Sequence, residues 1–579
     1  MPDRVLNRRS FLGGLSASVP MLTMPLTSLP GRARAQTRRP RLHAMVVGIN
    51  RYYGRAGRGQ VPDLLGCIND ANDIAQQVAK LDPGSLQVLG ARNEPVTRAA
   101  FLAAWQDTLA AAGEGDTLLL SYSGHGGQIK ALCPGNEEDG LDETLILSGF
   151  DIGQARDSAE HIVDDELAQL FAAAAARRLL VVFVADSCFS GTVYRSVEAA
   201  ADVRYRTIRA YALPPGRPVA DACRATAPED PPNLLFLSGS QENEVVPEIN
   251  VGGQWRGALS YAVARALEGR AANQGVVTAY GLSEFVLRYV QSLSDAGQHP
   301  NVTWPSRTRA TPNDLMTVEG STPVVVMGGT PPPPASKPPP HDAAWPVRLR
   351  ILGLLAAEGR EIARSLTHAV LVGDGEPSAL IWDARQRLIL NDQGHRMAEG
   401  VGAAQLQHAI DRRRTWERLA ALSVENSLSV RIRLPGEVAD APPSAASDAT
   451  HKAGTRLLID VGGITDSAYF AVFNLTGNGK VELIEPGLSQ LACGSSICST
   501  GVRKLKGVPI KSLEVEVGAP FGAEHVVAVA GALPLGRLMP ALVQARNKLA
   551  AADVLAGLAS ELQTQPLQAG FRGIYSARE

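Results

Sequence analysis

Short apolar runs alternate with helix-forming stretches between residues 41 and 315, and this alternation constrains the fold more than any other feature. Each run is closed by Gly, Ser, Asn or Asp, as buried strands that lead into functional loops often are. Strands that alternate with helices favour a parallel sheet covered by helices on both faces. The predicted strands are 44–49, 86–89, 117–122, 179–185 and 234–238, and the predicted helices are 70–81, 97–112, 165–176, 258–267 and 282–294, with Thr97 and Asp165 as N-caps.

Composition excludes several classes of protein. The chain has 579 residues, 56 Lys and Arg against 58 Asp and Glu, and a net charge of −2. That balance argues against a dedicated nucleic-acid binder, which needs a basic surface. Six cysteines are too few for a disulfide scaffold of this length, and they do not form the paired CxxC motifs of a structural zinc site.

The N-terminus resembles a twin-arginine export signal. Residues 7–12 (NRRSFL) contain the two arginines, and an uncharged stretch follows from Ser10 to Pro30. Ala33-Arg34-Ala35 then supplies the small residues that a signal peptidase requires. The apolar part is too diluted by Gly, Ser, Thr and Pro for a membrane span. We expect a signal peptide at 1–35, and the resemblance implies a bacterial protein that is periplasmic or secreted and has no transmembrane segment.

Proline-rich and low-complexity stretches divide the rest of the chain. Two proline runs within 321–343 predict an extended linker, because proline fixes φ and removes a hydrogen-bond donor. The predicted organisation is a first domain (41–320), this linker, a mixed α/β segment (344–434), a second linker (435–453) and a β-rich module with a C-terminal helix (454–579). The fold class is therefore α/β, a mostly parallel sheet sandwiched by helices, followed by a smaller mixed or β-rich C-terminal domain.

Two predicted strands lead into loops that carry a histidine and a cysteine. His125 follows strand 117–122, and Cys188 follows strand 179–185. Loops at the carboxyl ends of parallel strands meet at one edge of a sheet, where such folds bind ligands. A histidine beside a cysteine is a general base with its nucleophile. The backbone N–H groups of Gly126 and Cys188 are candidate oxyanion donors.

With these loops, the chain resembles the bacterial metacaspases of the caspase-like cysteine peptidase clan. The cysteine follows the histidine by about 60 residues, as in caspase-type enzymes. The resemblance implies that His125 and Cys188 are the catalytic dyad, and that the chain cleaves proteins through an acyl-enzyme. Phe189 departs from the family, since many metacaspases have histidine there. The other matching motifs are 45–50 (MVVGIN), 65–71 (LGCINDA) and 235–240 (LFLSGS).

The resemblance also implies cleavage after Arg or Lys. The family's pocket positions correspond here to Cys67, Asp70, Ser123 and Asp186. Two carboxylates suit a guanidinium, which they bind through charge-assisted hydrogen bonds. Asp70 has a competing interpretation as a helix cap, a role that aspartate often fills.

No cofactor is required by this chemistry, but calcium activation is known for many metacaspases. Asp142, Asp164 and Asp165 match the acidic residues of that site, and hard cations prefer such ligands. Arg195 stands where the family has another acid, and its charge opposes a cation. Asp165 is also a candidate N-cap, so both interpretations stay open.

Two main hypotheses compete for the whole chain, and a third is another hydrolase, such as an amidase, that uses the same dyad. The leading one is an exported cysteine endopeptidase that also cleaves itself within 193–232, a loop rich in arginine; an ordinary surface insertion is the alternative for that loop. The rival is a non-catalytic caspase-like scaffold that binds peptides or envelope partners. The C-terminal half resembles an accessory β-domain appended to bacterial caspase-like proteins, and carries no catalytic pattern, so we interpret it as a binding or localisation module with a candidate envelope partner.

Overall fold

The structure is a computed structural model that describes residues 40–53, 61–131, 141–151, 160–188, 204–208, 233–240, 246–251, 253–271, 276–294, 298–303, 325–326, 346–373, 376, 378–425, 428–437, 450–487 and 496–578. The predicted signal peptide (1–35) lies outside these residues, as do most of the arginine-rich loop (193–232) and of the two linkers. Among the described helices, none has the length and apolar character needed to cross a lipid bilayer.

The first part of the chain contains the predicted alternation, with ends shifted by up to three residues. Its helices are α1 (Cys67–Ala79), α2 (Arg98–Ala111), α3 (Asp164–Ala176), α4 (Ala258–Arg265), which continues into a π-helical turn (Ala266–Arg270), and α5 (Ala279–Leu293). Its strands are β1 (Leu42–Gly48), β2 (Ser85–Leu89), β3 (Thr117–Ser123), β4 (Gly126–Lys130), β5 (Leu141–Ile146), β6 (His161–Val163), β7 (Leu180–Asp186), β8 (Leu234–Ser238), β9 (Glu248–Val251), β10 (Gln254–Gly257), β11 (Val276–Val277) and β12 (Asn301–Thr303).

A six-stranded sheet forms the centre of this part, in the order β12-β8-β7-β3-β1-β2. All neighbours are parallel except β12, which is antiparallel to β8. Successive residues of β1 point to opposite faces, as in any strand. Met45 joins a core with Trp105 of α2, whereas Val46 joins a second core with Ile74 of α1. Helices therefore cover both faces, and the predicted α/β fold class is confirmed.

The sequence did not predict two small antiparallel sheets beside the central one. One has the order β4-β5-β6 and begins directly after His125, and the other is the β9-β10 hairpin. At the helix starts, Thr97 caps α2 by accepting a hydrogen bond from Ala100 N–H. The prediction of Asp165 as an N-cap is wrong. Val163 occupies that position, and Asp165 lies inside the first turn of α3.

The second part begins with a short strand inside the predicted proline-rich linker, since β13 (Val325–Val326) pairs with β11. Its helices are α6 (Ala356–Arg364), α7 (Leu406–Glu425) after a 3₁₀ turn (Ala403–Gln405), α8 (Ile497–Thr500), α9 (Leu538–Ala545) and α10 (Ala551–Leu562). Its further strands are β14 (Val347–Leu352), β15 (Ala369–Leu371), β16 (Leu380–Asp383), β17 (Leu388–Asn391), β18 (Arg396–Ala398), β19 (Ser429–Arg433), β20 (His451–Lys452), β21 (Arg456–Gly462), β22 (Tyr469–Thr476), β23 (Lys480–Glu485), β24 (Val502–Arg503), β25 (Leu513–Glu516), β26 (Gly522–Gly531), β27 (Lys548–Leu549) and β28 (Leu567–Ala577).

One twelve-stranded sheet joins the two modules that the sequence separated. β18 pairs with β26 through Ala398 and Gly522, so segments 344–434 and 454–579 contribute strands to the same sheet. A low-complexity connection marks a break in composition, and it does not determine whether the strands on either side pair. The helix predicted at the C-terminus is α10, and it is followed by β28, which pairs with β26 along ten residues.

The second part also packs against the first. The side chain of Gln291, on α5, donates to the carbonyl of Gly573 at 3.4 Å and accepts from its N–H at 3.1 Å. Gly573 lies on β28, and other residues of α5 and β28 also lie close together. The proline-rich stretch is therefore a connection between parts that contact each other.

Asp116 stabilises the start of the central sheet, and its contacts lead to a first prediction. It is fully buried and accepts from His43 Nε2 at 3.0 Å, from Arg41 N–H at 2.9 Å and from Gly113 N–H at 2.9 Å. Asp116→Ala leaves these donors unpaired, so we expect a loss of about 2–4 kcal/mol in the free energy of unfolding. Urea denaturation followed by circular dichroism measures this loss.

The matched control is Glu114→Ala, in the same turn. Its ion pair with Arg178 is largely exposed on both sides, so the loss should stay below about 1 kcal/mol. Equal losses for the two variants would contradict the role of the buried network.

Candidate active site

Two loops that follow neighbouring strands build the site. β3 and β7 are parallel and in register, with Ser123 opposite Asp186, so the loops after them leave the same edge of the sheet side by side. His125 lies two residues beyond β3, and Cys188 lies two residues beyond β7. Both residues are buried. The sheet register thus brings the predicted histidine and cysteine loops together.

Hydrogen bonds fix the protonation of the His125 ring. Nε2 lies 2.7 Å from the carbonyl oxygen of Pro62, which can only accept, so Nε2 carries the proton. Nδ1 therefore holds the lone pair, and it has no hydrogen-bond partner among the described residues. Burial lowers the pKa of His125 to about 4, although the bond to Pro62 raises it, and the charge of Arg206 lowers it further. The ring is therefore a neutral base at neutral pH.

A segment of the arginine-rich loop, 204–208, crosses the site. The carbonyl oxygen of Arg206 accepts from Gly126 N–H and from Cys188 N–H, each at 3.0 Å. Two backbone donors on one carbonyl oxygen form the arrangement that stabilises an oxyanion. On the C-terminal side of Arg206, Ile208 N–H donates to the carbonyl of Gly126 at 2.9 Å. The peptide bond between Arg206 and Thr207 is thus held at the histidine and cysteine loops.

The side chain of Arg206 fills a pocket of carboxylates. Its guanidinium is fully buried, with Nη2 2.6 Å from Asp70 Oδ2 and 3.5 Å from Glu248 Oε1. Nη1 lies 3.2 Å from Asp186 Oδ2. Burying an ion costs several kcal/mol unless close partners replace its water. Three acids around one cation provide that replacement, so they stabilise the buried guanidinium.

The pocket holds more negative charge than one guanidinium neutralises. Burial raises the pKa of Asp70 to about 7, against the lowering effect of Arg206, and the nearby charge of Asp186 raises it as well. Asp70 therefore carries a proton for part of the time at neutral pH. Because Gly66 is the N-cap of α1, the alternative interpretation of Asp70 as the helix cap is wrong.

The other two predicted pocket residues do not bond to the guanidinium. Cys67 is buried, with Sγ 4.0 Å from Glu248 Oε1. Ser123 shares a hydrogen bond of 2.8 Å with Ser260, whose N–H donates to Asp186 at 2.7 Å. Both residues therefore contact members or supports of the pocket.

Comparison with known proteins assigns the segment that carries these loops. Residues 42–196 match the family described as metacaspase, peptidase C14 domain. This segment is a metacaspase domain of the caspase clan. The domain is thus of the cysteine-peptidase type, and proteins are the substrates of its family.

Curated relatives agree with this assignment. Metacaspase-1 of Ajellomyces capsulatus is 28% identical over 263 residues, which are 39% of this chain and 70% of that protein. Metacaspase-1 of Kluyveromyces lactis is 34% identical over 160 residues, 26% of this chain and 34% of that protein. Metacaspase-1A of Aspergillus fumigatus is 27% identical over 262 residues, 39% of this chain and 60% of that protein. The matches therefore cover between a third and 70% of these relatives.

Three residues at the site were not predicted from the sequence, and all lie beyond the matched metacaspase segment. Glu248 is an acid within an apolar run (245–249), and that interruption is the signal that could have found it. Gly257 donates its N–H to Asp70 at 3.0 Å, and a side chain there would overlap Asp186 and Arg206. Arg206 is one of several arginines in its loop, so no sequence signal distinguishes it.

The predicted calcium ligands form a separate cluster. Burial and the charges of Glu143 and Asp142 raise the pKa of Asp164 to about 8. The Asp164 oxygens accept from Glu143 N–H at 3.2 Å and from Asp165 N–H at 2.8 Å. Within the part of the chain that the structure describes, no three His, Cys, Asp or Glu side chains are placed to hold a metal ion. Calcium at these residues stays a prediction.

The low pKa of His125 can be tested directly. In a Cys188→Ala protein, we expect the ring to titrate near pH 4. Adding Arg206→Ala removes the nearby cation and opens the pocket to water, so the pKa should rise. Nuclear magnetic resonance of labelled histidine, assigned with His125→Gln, measures both values. A ring that titrates near its ordinary pKa of about 6.5 in both proteins would contradict this description.

Proposed function

We propose that the protein is a cysteine endopeptidase that cleaves after arginine, with Cys188 as nucleophile and His125 as base. The observation that carries the proposal is the placement of Arg206. Its guanidinium is enclosed by carboxylates while its carbonyl oxygen accepts from Gly126 N–H and Cys188 N–H. This is how a peptidase of this type would hold the residue before the bond that it cleaves.

The chemistry follows from the groups at the carbonyl. His125 Nδ1 takes the proton of the Cys188 thiol, and the sulfur attacks the carbonyl carbon of the arginine. The two N–H donors stabilise the negative charge on oxygen. The C–N bond then breaks, and the imidazolium gives its proton to the departing amine. Water, deprotonated by the same ring, cleaves the thioester and releases a carboxylate and the free thiol.

The pocket favours arginine over lysine. The two Nη atoms of Arg206 reach different acids, Asp186 on one side and Asp70 with Glu248 on the other. A lysine ammonium is a single point charge and cannot span these partners in the same way. Lysine should therefore be accepted less well. An acidic residue would add a fourth carboxylate and be rejected.

We propose that the first substrate is the chain itself, at the bond between Arg206 and Thr207. Residues 206–208 are buried, and they occupy the site that another substrate would need. Cleavage would release one end of this segment and open the site. This cleavage is tested both with and without calcium, because the contacts of the described residues do not predict how calcium affects it.

We further propose that residues 1–35 direct export by the twin-arginine route, so that the enzyme acts in the periplasm or outside the cell. The support is the order of motifs in the sequence. The N-terminus of the protein isolated from its own cells tests this: Gln36 supports the proposal, and an uncut N-terminus opposes it.

Self-cleavage gives a specific prediction. The full chain, incubated with and without calcium, should yield a fragment whose N-terminus is Thr207, found by N-terminal sequencing and mass spectrometry. Cys188→Ala should abolish this fragment. Arg206→Gln should reduce the rate of this cleavage by at least about 100-fold, because a neutral amide cannot form ion pairs with the buried acids. Arg206→Lys should be slower than the parent but active.

The matched control is Arg204→Gln, because the Arg204 side chain is exposed two residues away in the same segment. Its cleavage at Thr207 should match the parent. Absence of cleavage at Arg206 in a folded protein, together with no cleavage of arginine peptides, would favour the rival scaffold hypothesis.

The pocket wall supplies a second prediction. Gly257→Ala places a methyl group where Asp186 and the guanidinium of Arg206 now meet. We expect the rate of cleavage after arginine to fall by at least about 30-fold, since about 2 kcal/mol or more of ion pairing is lost. Gly518→Ala is the control, because nothing lies within 4 Å of its added carbon. Unchanged cleavage by a folded Gly257→Ala protein would oppose the pocket assignment.

A further inference from the structure

The residue before Arg206 contacts both parts of the chain. Tyr205 packs against Cys188 and Val246 at the site. Its hydroxyl donates to the carbonyl oxygen of Gln393 at 3.2 Å. Gln393 lies in the turn between β17 and β18, in the second part of the chain. The C-terminal region therefore reaches the cleft that holds the scissile segment.

The turn is anchored, so the carbonyl has a fixed position. Gln393 is buried, and its Nε2 donates to the carbonyl of Leu293 at 2.9 Å. Asn391 is fully buried, with Nδ2 donating to the carbonyl of Ser294 at 2.8 Å. Its Oδ1 accepts from Gln393 N–H at 3.0 Å and from His395 N–H at 2.9 Å. These bonds tie the turn to the C-terminal end of α5, in the first part.

A fixed carbonyl oxygen distinguishes among side chains. A carbonyl oxygen can only accept a hydrogen bond, so it favours a side chain that carries a donor, such as the hydroxyl at the end of a tyrosine ring. Burial raises the pKa of Tyr205, so the hydroxyl keeps its proton and remains a donor. Phenylalanine fills the same space but has no donor, and alanine neither fills the space nor donates a hydrogen bond.

The backbone on either side of Tyr205 is held as an extended substrate strand. Arg206 N–H donates to the carbonyl of Val246 at 2.9 Å, and Glu248 N–H donates to the carbonyl of Arg204 at 2.8 Å. These bonds involve main-chain atoms, which any peptide possesses. A substrate bound in this way would place the side chain before its arginine where Tyr205 lies now.

We propose that the β17–β18 turn of the C-terminal region forms one wall of the subsite for the residue before the scissile arginine, and that this subsite selects tyrosine. This inference rests on the proposed peptidase function. It assigns the C-terminal region a part in substrate recognition and names Tyr-Arg as the preferred pair. The substrates outside the chain would then resemble the chain's own cleavage segment.

The experiment uses the full-length protein after its self-cleavage is complete. Four fluorogenic peptides that differ only in the residue before arginine (Tyr, Phe, Leu or Ala) are compared by kcat/KM. We expect Tyr-Arg to exceed Phe-Arg by about 3- to 10-fold, the value of one hydrogen bond. Ala-Arg should be slower than both, because it leaves the aromatic site empty.

Variants of the β17–β18 turn test whether the turn causes the preference for tyrosine, or whether the preference comes from the peptides themselves. Asn391→Ala releases the turn from α5, so the Tyr-to-Phe ratio should fall toward one. Arg396→Ala is the matched control in the same hairpin: its side chain is exposed and pairs only locally with Glu399, so the ratio should be unchanged. Circular dichroism establishes that each variant is folded. Gln393→Ala, which keeps the carbonyl but removes the bond to Leu293, is the milder second variant and should reduce the ratio in part.

The outcomes distinguish the two proposals. No cleavage of any arginine peptide would overturn the proposed function. Cleavage of all four peptides with equal Tyr-Arg and Phe-Arg values would overturn only the tyrosine subsite. A Tyr preference that Asn391→Ala and Gln393→Ala leave intact would overturn the role of the C-terminal turn.

A measurement within the chain adds independent support. Tyr205→Phe removes a single oxygen atom, so its single-turnover rate of self-cleavage should be lower than that of the parent by the same about 3- to 10-fold. An unchanged rate for Tyr205→Phe would count against the subsite.

Discussion

The guanidinium of Arg206, fully buried among three carboxylates, is the interaction on which the site depends. None of these acids would be stable there without support, because a buried charge needs hydrogen bonds as well as a partner. Asp186 accepts from Ser260 N–H at 2.7 Å, and Glu248 accepts from Gly66 N–H at 2.6 Å. Backbone groups at the N-cap of α1, in α4 and at the end of β10 thus help to hold the acids in place.

The same pocket links recognition to chemistry. Since the guanidinium is fixed by its acids, the main chain of Arg206 has little freedom, and its carbonyl oxygen meets the N–H groups of Gly126 and Cys188. A shorter or uncharged side chain would leave buried acids unpaired and would also lose this alignment. In the proposed peptidase, selectivity for a cation and positioning of the carbonyl would therefore be consequences of one set of contacts.

The sequence predicted the parts of the site that depend on local patterns. His125 and Cys188 follow apolar strands, and the parallel register that such strands adopt brings their loops together. Residues that act through tertiary contacts were harder to find. Glu248 lies on a short hairpin with no strong pattern, and Arg206 is one basic residue among several. Only the fold shows that Arg206 contacts Asp70 and Glu248, which are far from it in the sequence.

The predicted domain boundaries also failed to anticipate tertiary contacts. Breaks in composition separated 344–434 from 454–579, yet β18 and β26 pair within one sheet. They also separated both from the first part, yet α5 contacts β28 and anchors the β17–β18 turn beside Tyr205. A connection rich in proline or alanine says where the chain is irregular, and it carries no information on which surfaces meet. The cleft is therefore a property of the packed chain: the first part supplies the pocket for arginine, and the second supplies an acceptor that a peptidase domain alone would lack.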